Sequence, residues 1–289
     1  MPGLSFIAPT TIDEAVRALA SAPGLAKCLA GGTDLLVQLR SGRSRPELIV
    51  DTKRIPDLIG IRDAGDHFVI GAATPGASIS ACAPLCRAWP GITEAVDLIG
   101  SQQIQGRASL GGNLCNASPA ADSVPAVIAA RATCVVAGPE GTREVPVEAI
   151  VTGPGQTSLK KGEFLVEFHV PKPAPHQSDA YLRFIPRTEM DIAVVGCAVN
   201  VTLGERGVCR DARVVLGAVA PTPILVPEAA EALVGHWLDE ETLARLDAAA
   251  RRAPKPITDK RGTIEYRIKV AGVLARRAAA IAFKRAGEC

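Results

Sequence analysis

Two glycine pairs constrain this chain more than any other feature. They are Gly31-Gly32 in the segment AGGTD and Gly111-Gly112 in the segment SLGGNLCNASPAAD. Glycine adopts positive φ without strain and lets a ligand approach the main chain, so both pairs, Gly112 included, are expected at turns that need one or the other. Where such a turn enters a helix, its backbone N–H groups form a concave nest for an anion, and two nests can grip a diphosphate from both sides. The first pair has that context: AKCLA reads as a short buried strand, and TDLLVQLR reads as a helix beginning near Thr33 or Asp34. Beside the second pair, Ser109, Ala117, Ser118, Ala120 and Ala121 are small enough for a flat ligand to lie against the loop. Asn113, Asn116 and Asp122 offer hydrogen-bonding groups that suit ribityl hydroxyls or a ribose. A single glycine pair is more simply a tight turn between strand and helix, and two in one region keep both readings open. Neither pair has the Walker spacing or the GxGxxG of a Rossmann turn, which disfavours an ATPase or a simple nicotinamide dehydrogenase.

The rest of the chain sets these motifs in a two-domain frame. Thr11 with Glu14 forms a capping box, and Ile12, Ala15, Val16 and Leu19 then recur at helical spacing up to the Pro23-Gly24 break. LIVD is a second strand. From His67 onward, FVIGAAT, helical stretches in ISACAPLCRA and ITEAVDLIG, a helix over 123–130 and strands TCVVAG, REVPV and FLVEFHVP describe a mixed α+β lobe. PKPAPHQSD, residues 171–179, is the clearest linker, with three prolines in nine residues. Beyond it, three antiparallel strands precede a long segment that places Ile264, Ile268, Ala271, Leu274, Ala275, Ala278 and Ile281 on one helical face. Packing of that face on the sheet is favoured over a membrane or a partner, because the face is rich in Ala rather than Trp or Phe. The expected domains are 1–175, with lobes of about 1–58 and 59–175, and 176–289.

Composition excludes several classes. Thirty-two Lys plus Arg against thirty Asp plus Glu give a net charge of +2, and aromatics make up 3%, so neither a basic surface nor a base-stacking platform for nucleic acid is expected. No apolar run reaches the roughly 18 residues of a membrane span, and the first residues lack a basic start and an apolar signal core, which reads as cytoplasmic. The eight cysteines are scattered and are expected as reduced thiols; Cys82 and Cys86, the only close pair, cannot supply the four thiolates of a cluster or structural zinc. His67, His169, His176 and His236 are not grouped by spacing, and no G-x-S-x-G elbow occurs. No catalytic or metal-ligating set is therefore assigned. A diphosphate cradle without its own acid, base or nucleophile is best explained if a cofactor does the chemistry.

The two glycine motifs, in this order and at this separation, resemble those of the FAD-binding medium subunit of the molybdenum hydroxylases. That group includes xanthine dehydrogenase, carbon monoxide dehydrogenase and aromatic-compound dehydrogenases. The likeness extends through TTIDEAVRAL, LAGGTDLLVQLR, ASLGGNLCNASPAADSVPA, RTEMDIAVVGCAV, LGAVAPTPI and DKRGTIEYRIKVAGVLARR. It implies an α+β fold: a two-lobed PCMH-type, vanillyl-alcohol-oxidase-like FAD-binding domain, then a smaller α+β domain with a three-stranded antiparallel sheet and helices. Carried over by motif, Lys27 with Ala30, Gly31, Gly32, Thr33 and Asp34 would form the first phosphate loop, and Ser109, Leu110, Gly111, Gly112 and Asn113 the second. Asn116 joins the cofactor-binding set, Asp122 would bind the ribityl or adenosine portion, and Leu165 would lie near the flavin. Ile192 would shield one ring face; carbon monoxide dehydrogenase-type relatives have Tyr there, and xanthine dehydrogenase has Lys where this chain has Val194. Arg187 and Asp191 read as a surface pair worth under about 1 kcal/mol.

The resemblance further implies an oxidoreductase subunit for electron transfer. FAD would be non-covalent, since covalent attachment uses His or Cys beside the ring and neither motif holds a His; Cys115 is the residue to exclude. The molybdenum cofactor would reside in a large partner subunit and two [2Fe–2S] clusters in a small one, together a dimer of heterotrimers serving an external electron acceptor. The rival is a self-contained flavin oxidase of the same fold, which would need an acid or base near the ring.

Overall fold

The first lobe grows from its helix cap. The Thr11 hydroxyl accepts from the Glu14 N–H at 3.2 Å, and α1 (Ile12–Ser21) follows, burying Ala15 and Leu19. The return arm of the capping box is displaced by one residue: the Glu14 carboxylate accepts from the N–H of Thr10 at 2.9 Å rather than from that of Thr11. Strands β1 (Ser5–Ile7), β2 (Ala26–Leu29) and β3 (Leu48–Asp51) form a parallel sheet of order β1-β3-β2, with α2 (Leu35–Arg40) linking β2 to β3. This computed structural model describes residues 3–289; Met1 and Pro2, at the head of the expected first domain, lie outside the described residues.

The second lobe contains β4 (Ile61–Asp63), β5 (His67–Gly71), α3 (Gly76–Ser80), α4 (Ala83–Ala88), α5 (Pro90–Asp97), α6 (Gln102–Gln105), α7 (Leu110–Asn116) and α8 (Ser123–Ala129). It continues with β6 (Thr133–Gly138), β7 (Gly141–Pro146), β8 (Val151–Gly153), β9 (Gln156–Thr157) and β10 (Phe164–Pro171). β10 inserts between β5 and β6 at the centre of a five-stranded antiparallel sheet, β4-β5-β10-β6-β7. Ile79, Leu85, Trp89, Ile92, Leu114 and Ile128 pack the helices against this sheet. A second buried cluster joins Leu19, Val50, Ile55 and Leu58 of the first lobe to Ala73, Ala137, Phe164 and Val166 of the second, so the lobes are held together beneath the cleft between them.

The C-terminal domain is a four-stranded antiparallel sheet of β11 (Gln177–Phe184), β12 (Val195–Leu203), β13 (Cys209–Gly217) and β14 (Ile224–Leu225), with helices α9 (Pro227–Glu231), α10 (Glu240–Arg252) and α11 (Ile264–Glu288). Three strands were expected; β14 is a two-residue strand lying among Pro221, Pro223 and Pro227, too short to leave a periodic signal. The linker is also shorter than its prolines suggest. β10 runs to Pro171 and β11 begins at Gln177, so Asp179 is a buried strand residue. α11 lays its alanine face on β11 and β12: Ala271, Leu274, Ala275 and Ala278 are buried as expected and Ile281 packs half-buried against them, and the difference is confined to the first turn, where Ile264 is exposed and Arg267 is buried at the head of the packed face. Burial of that guanidinium is compensated by donation to the carbonyls of Val194 and Ala218 and to the Asp259 carboxylate, at 2.7, 3.1 and 2.8 Å.

β11 joins the domains. Its alternate residues Asp179, Tyr181 and Arg183 share one face, as strand geometry requires, and all three bond with the FAD-domain side. Asp179 accepts from the Gly91 N–H at 2.8 Å, while the Tyr181 hydroxyl and the Arg183 guanidinium donate to Asp122 at 2.9 and 2.7 Å.

Candidate functional site

Between the lobes lies a cleft of about 370 Å³ whose walls contain both glycine motifs. β2 ends at Leu29, and the chain then turns through Ala30, Gly31, Gly32, Thr33 and Asp34 into α2, with Gly32 at φ +79°. Among the described residues, the N–H groups of Gly31, Gly32, Thr33, Asp34 and Leu35 meet no protein acceptor, and all five residues line the cleft. Asp34 precedes the helix without capping it, so these donors remain available, and burial raises the Asp34 carboxyl above its ordinary value. Five adjacent amides without a protein acceptor, on residues that line one cavity, supply a patch of positive potential that suits the oxygens of a diphosphate.

The second motif is built differently from expectation. Gly111 and Gly112 lie in the first turn of α7, not at a positive-φ turn. Ser109, 3% exposed, caps that turn by accepting from the Gly112 N–H at 3.1 Å, and the Gly111 N–H donates to the Ala72 carbonyl at 3.0 Å. These glycines are therefore not a second open nest. Gly111 is small because a Cβ there would lie 2.5 Å from the Ala72 carbonyl oxygen, whereas one at Gly112 would meet only the Ser109 hydroxyl, at 3.2 Å. Gly31 has the most confining surroundings: a Cβ on it would overlap the carbonyl oxygen of Arg107, two residues before Ser109. The two loops touch backbone to backbone at that point.

Two side-chain pairs complete the walls. The Gln38 amide of α2 donates to Asn116 Oδ1 of α7 at 2.8 Å, bridging the lobes, and the Ser123 hydroxyl donates to Asn113 Oδ1 at 2.7 Å. The remaining wall is the segment from Gly155 to Leu165, contributing Thr157, Leu159, Lys160, Glu163, Phe164 and Leu165. Glu163 is paired with Arg143 at 2.8 Å, which holds its carboxyl below the usual range. Cys28 and Cys115 also face the cleft, and burial pushes both thiols up to about 12.

Of the expected site residues, Lys27, Ala30, Gly31, Gly32, Thr33, Asp34, Ser109, Gly111, Gly112, Asn113, Asn116 and Leu165 are brought together here. Three are not in this wall. Leu110 turns into the core, 2% exposed. Asp122 is held by Tyr181 and Arg183 at the domain junction, where burial outweighs the pull of Arg183 and lifts its carboxyl to about 6. Ile192 sits 49% exposed between β11 and β12, on a segment whose Met190 N–H donates to the Gly100 carbonyl at 3.4 Å. Sequence reading did not single out Gln38, Thr52 or, apart from Leu165, the 155–165 wall. Thr52 had a signal: in a parallel sheet ligands gather at the carboxyl ends of strands, and DTKR follows β3 at the end where AGGTD follows β2.

The two-lobed α+β cleft, with an amide nest on one lobe and an apolar wall of Leu58, Leu159, Phe164 and Leu165, has the character of a site for a flavin dinucleotide. Comparison with known proteins agrees. Residues 2–173 match the family described as the FAD binding domain in molybdopterin dehydrogenase, and residues 180–282 match the CO dehydrogenase flavoprotein C-terminal domain. The chain is 35% identical to the carbon monoxide dehydrogenase medium chain of Afipia carboxidovorans, over 99% of each chain. It is 33% identical to the xanthine dehydrogenase FAD-binding subunit of Escherichia coli O157:H7, over 98% of this chain and 97% of that one. A chain in the solved carbon monoxide dehydrogenase of Hydrogenophaga pseudoflava superposes with a TM-score of 0.94 at 33% identity, over 98% of both. The chain belongs to the FAD-binding subunit family of the molybdopterin dehydrogenases, and it is a flavoprotein subunit of an oxidoreductase.

Proposed function

We propose that this chain is the electron-transfer subunit of a cytoplasmic molybdenum hydroxylase, holding FAD non-covalently and passing electrons to an external acceptor. Its partners are a large subunit with the molybdenum cofactor, where substrate is oxidised, and a small subunit with two [2Fe–2S] clusters, assembled as a dimer of heterotrimers. The observation that carries the FAD site is the run of five N–H groups without a protein acceptor, Gly31 to Leu35, on residues that all line the interlobe cleft. FAD, when bound, supplies the redox chemistry, taking electrons singly and releasing two together.

The chain's own residues bind and orient. The first-loop amides hold the diphosphate, with the Lys27 ammonium nearby as counter-charge. Asn113 and Asn116 have their carbonyl oxygens occupied by Ser123 and Gln38, which leaves their NH2 groups to donate to ligand hydroxyls. Asp122, bonded to Tyr181 and Arg183, braces the domain junction, and Ile192 would cover the ring from the exposed segment tied to Gly100, the neighbour of the cleft residue Ile99. Leu58, Leu159, Phe164 and Leu165 exclude water from the ring's surroundings. Non-covalent binding is supported by the high pKa values of Cys28 and Cys115, whose thiols stay protonated and poorly nucleophilic.

The test uses the purified whole chain loaded with FAD. Dithionite should bleach the flavin and air should restore it, while heterocycles and aldehydes are not turned over. Turnover of such a substrate by the chain alone, shown free of iron and molybdenum by metal analysis, would make it a self-contained oxidase.

A further inference from the structure

The first-loop amides face the cleft only if the carbonyls of the same segment are turned away from it. A trans peptide unit points its C=O and its N–H in opposite directions, so whatever holds the Ala30 carbonyl also aims the Gly31 N–H. That carbonyl is held by Lys53. Its Nζ donates to the Ala30 oxygen at 2.9 Å and to Asp51 Oδ1 at 2.6 Å. Asp51 Oδ1 also accepts from the Lys53 N–H at 3.0 Å, so the ammonium is anchored to the end of β3 at both ends of its side chain. One residue earlier, the Thr52 hydroxyl donates to the Leu29 carbonyl at 3.4 Å. Two successive carbonyls leaving β2 are thus tied back to two successive residues leaving β3, and the five open N–H groups begin at the next residue. The Lys53 side chain is 28% exposed and Thr52 is buried, so this clasp lies within the sheet end and not on a free surface.

We infer that Lys53 is a positioning residue for the dinucleotide's diphosphate: through the Ala30 carbonyl it sets the direction of the Gly31 amide and, behind it, of the nest. It lies outside the cleft lining and acts through the backbone. The inference rests on the FAD reading of the cleft and assigns a role that the glycine motif cannot perform for itself, because glycine leaves the peptide plane free to rotate. The ammonium also places a positive charge behind the loop without occupying ligand space.

The discriminating measurement compares two ligands that share the ring and ribityl chain but differ in the diphosphate and adenosine. Whole apoprotein is titrated with FAD and with riboflavin, following flavin fluorescence. Lys53→Met should raise the Kd for FAD at least tenfold while leaving that for riboflavin within twofold, and Lys53→Arg, which keeps donors for both partners, should recover most of the loss. Asp51→Asn, which weakens the anchor but keeps the ammonium, should give the same selective loss to a smaller degree and serves if Lys53→Met does not fold. Equal weakening of both ligands would show a general distortion and overturn the positioning role, as would FAD binding unchanged in folded Lys53→Met. A wild-type chain that binds FAD no more tightly than riboflavin would instead overturn the reading of the first loop as a diphosphate nest.

Discussion

Replacing Gly31 by Ala tests whether the cleft depends on the contact between its two loops. The added Cβ overlaps the Arg107 carbonyl, and the next nearest neighbour is the Ala108 nitrogen at 3.0 Å, so the obstruction is backbone and no side chain can swing aside. A tolerable contact requires the loops to part by roughly 1 Å or more. Amide-to-phosphate hydrogen bonds hold over only about 2.7 to 3.2 Å, so a shift of that size removes one or two of the bonds offered by Gly31 and its neighbours. At about 1.5 to 3 kcal/mol for each charge-assisted bond, the loss is near 3 kcal/mol, or roughly 100-fold in Kd. Fluorescence titration of folded apoprotein with FAD, with a thermal melt by circular dichroism to verify folding, measures it. A folded Gly31→Ala variant whose Kd stays within threefold of wild type would refute the argument that the touching backbones set the cleft.

Gly112→Ala supplies the contrast: with helical backbone and only the Ser109 hydroxyl at 3.2 Å, it should change FAD affinity less than about fivefold in the same titration. Acid precipitation of the holoprotein should release all of the flavin to the supernatant; colour retained in the pellet would identify a covalent link, with Cys115 and Cys28 the first residues to replace. The domain junction should carry a pH signature. Asp179, 1% exposed, bonds to the Gly91 N–H and faces the Glu94 carboxylate; Arg285 reaches only its backbone oxygen, and burial lifts its carboxyl to about 7. The folded state then binds this proton more tightly than the unfolded chain does, so stability falls as pH rises from near 4 through about 7. Asp179→Asn lacks that slope and should gain on wild type across the window by up to about 4 kcal/mol. Denaturant melts of the two proteins that stay parallel over this range would exclude the assignment.

Much of this architecture can be read locally. The Thr11 cap and the apolar repeat behind it produce α1, and the strand, glycine pair and helix order places AGGTD at a β2-to-α2 turn, because these signals act over a few residues. The identity of the cofactor site is likewise carried by two short motifs. Tertiary structure alone decides why each small residue is there. Gly31 is confined by Arg107, Gly111 by Ala72, and Asn116 is reached by Gln38, contacts between segments far apart in the chain whose meeting depends on how the lobes pack. The same holds for Asp122. Its motif position suggests a ligand contact, yet it accepts hydrogen bonds from Tyr181 and Arg183, since only the docked β11 brings a hydroxyl and a guanidinium to it. β14 and the buried Arg267 belong here too: a two-residue strand has no period, and a buried guanidinium requires carbonyls that only the finished sheet supplies. Short-range order follows from the spacing of residue types along the chain, whereas the direction of a side chain or an amide is fixed by what the rest of the fold presses against it.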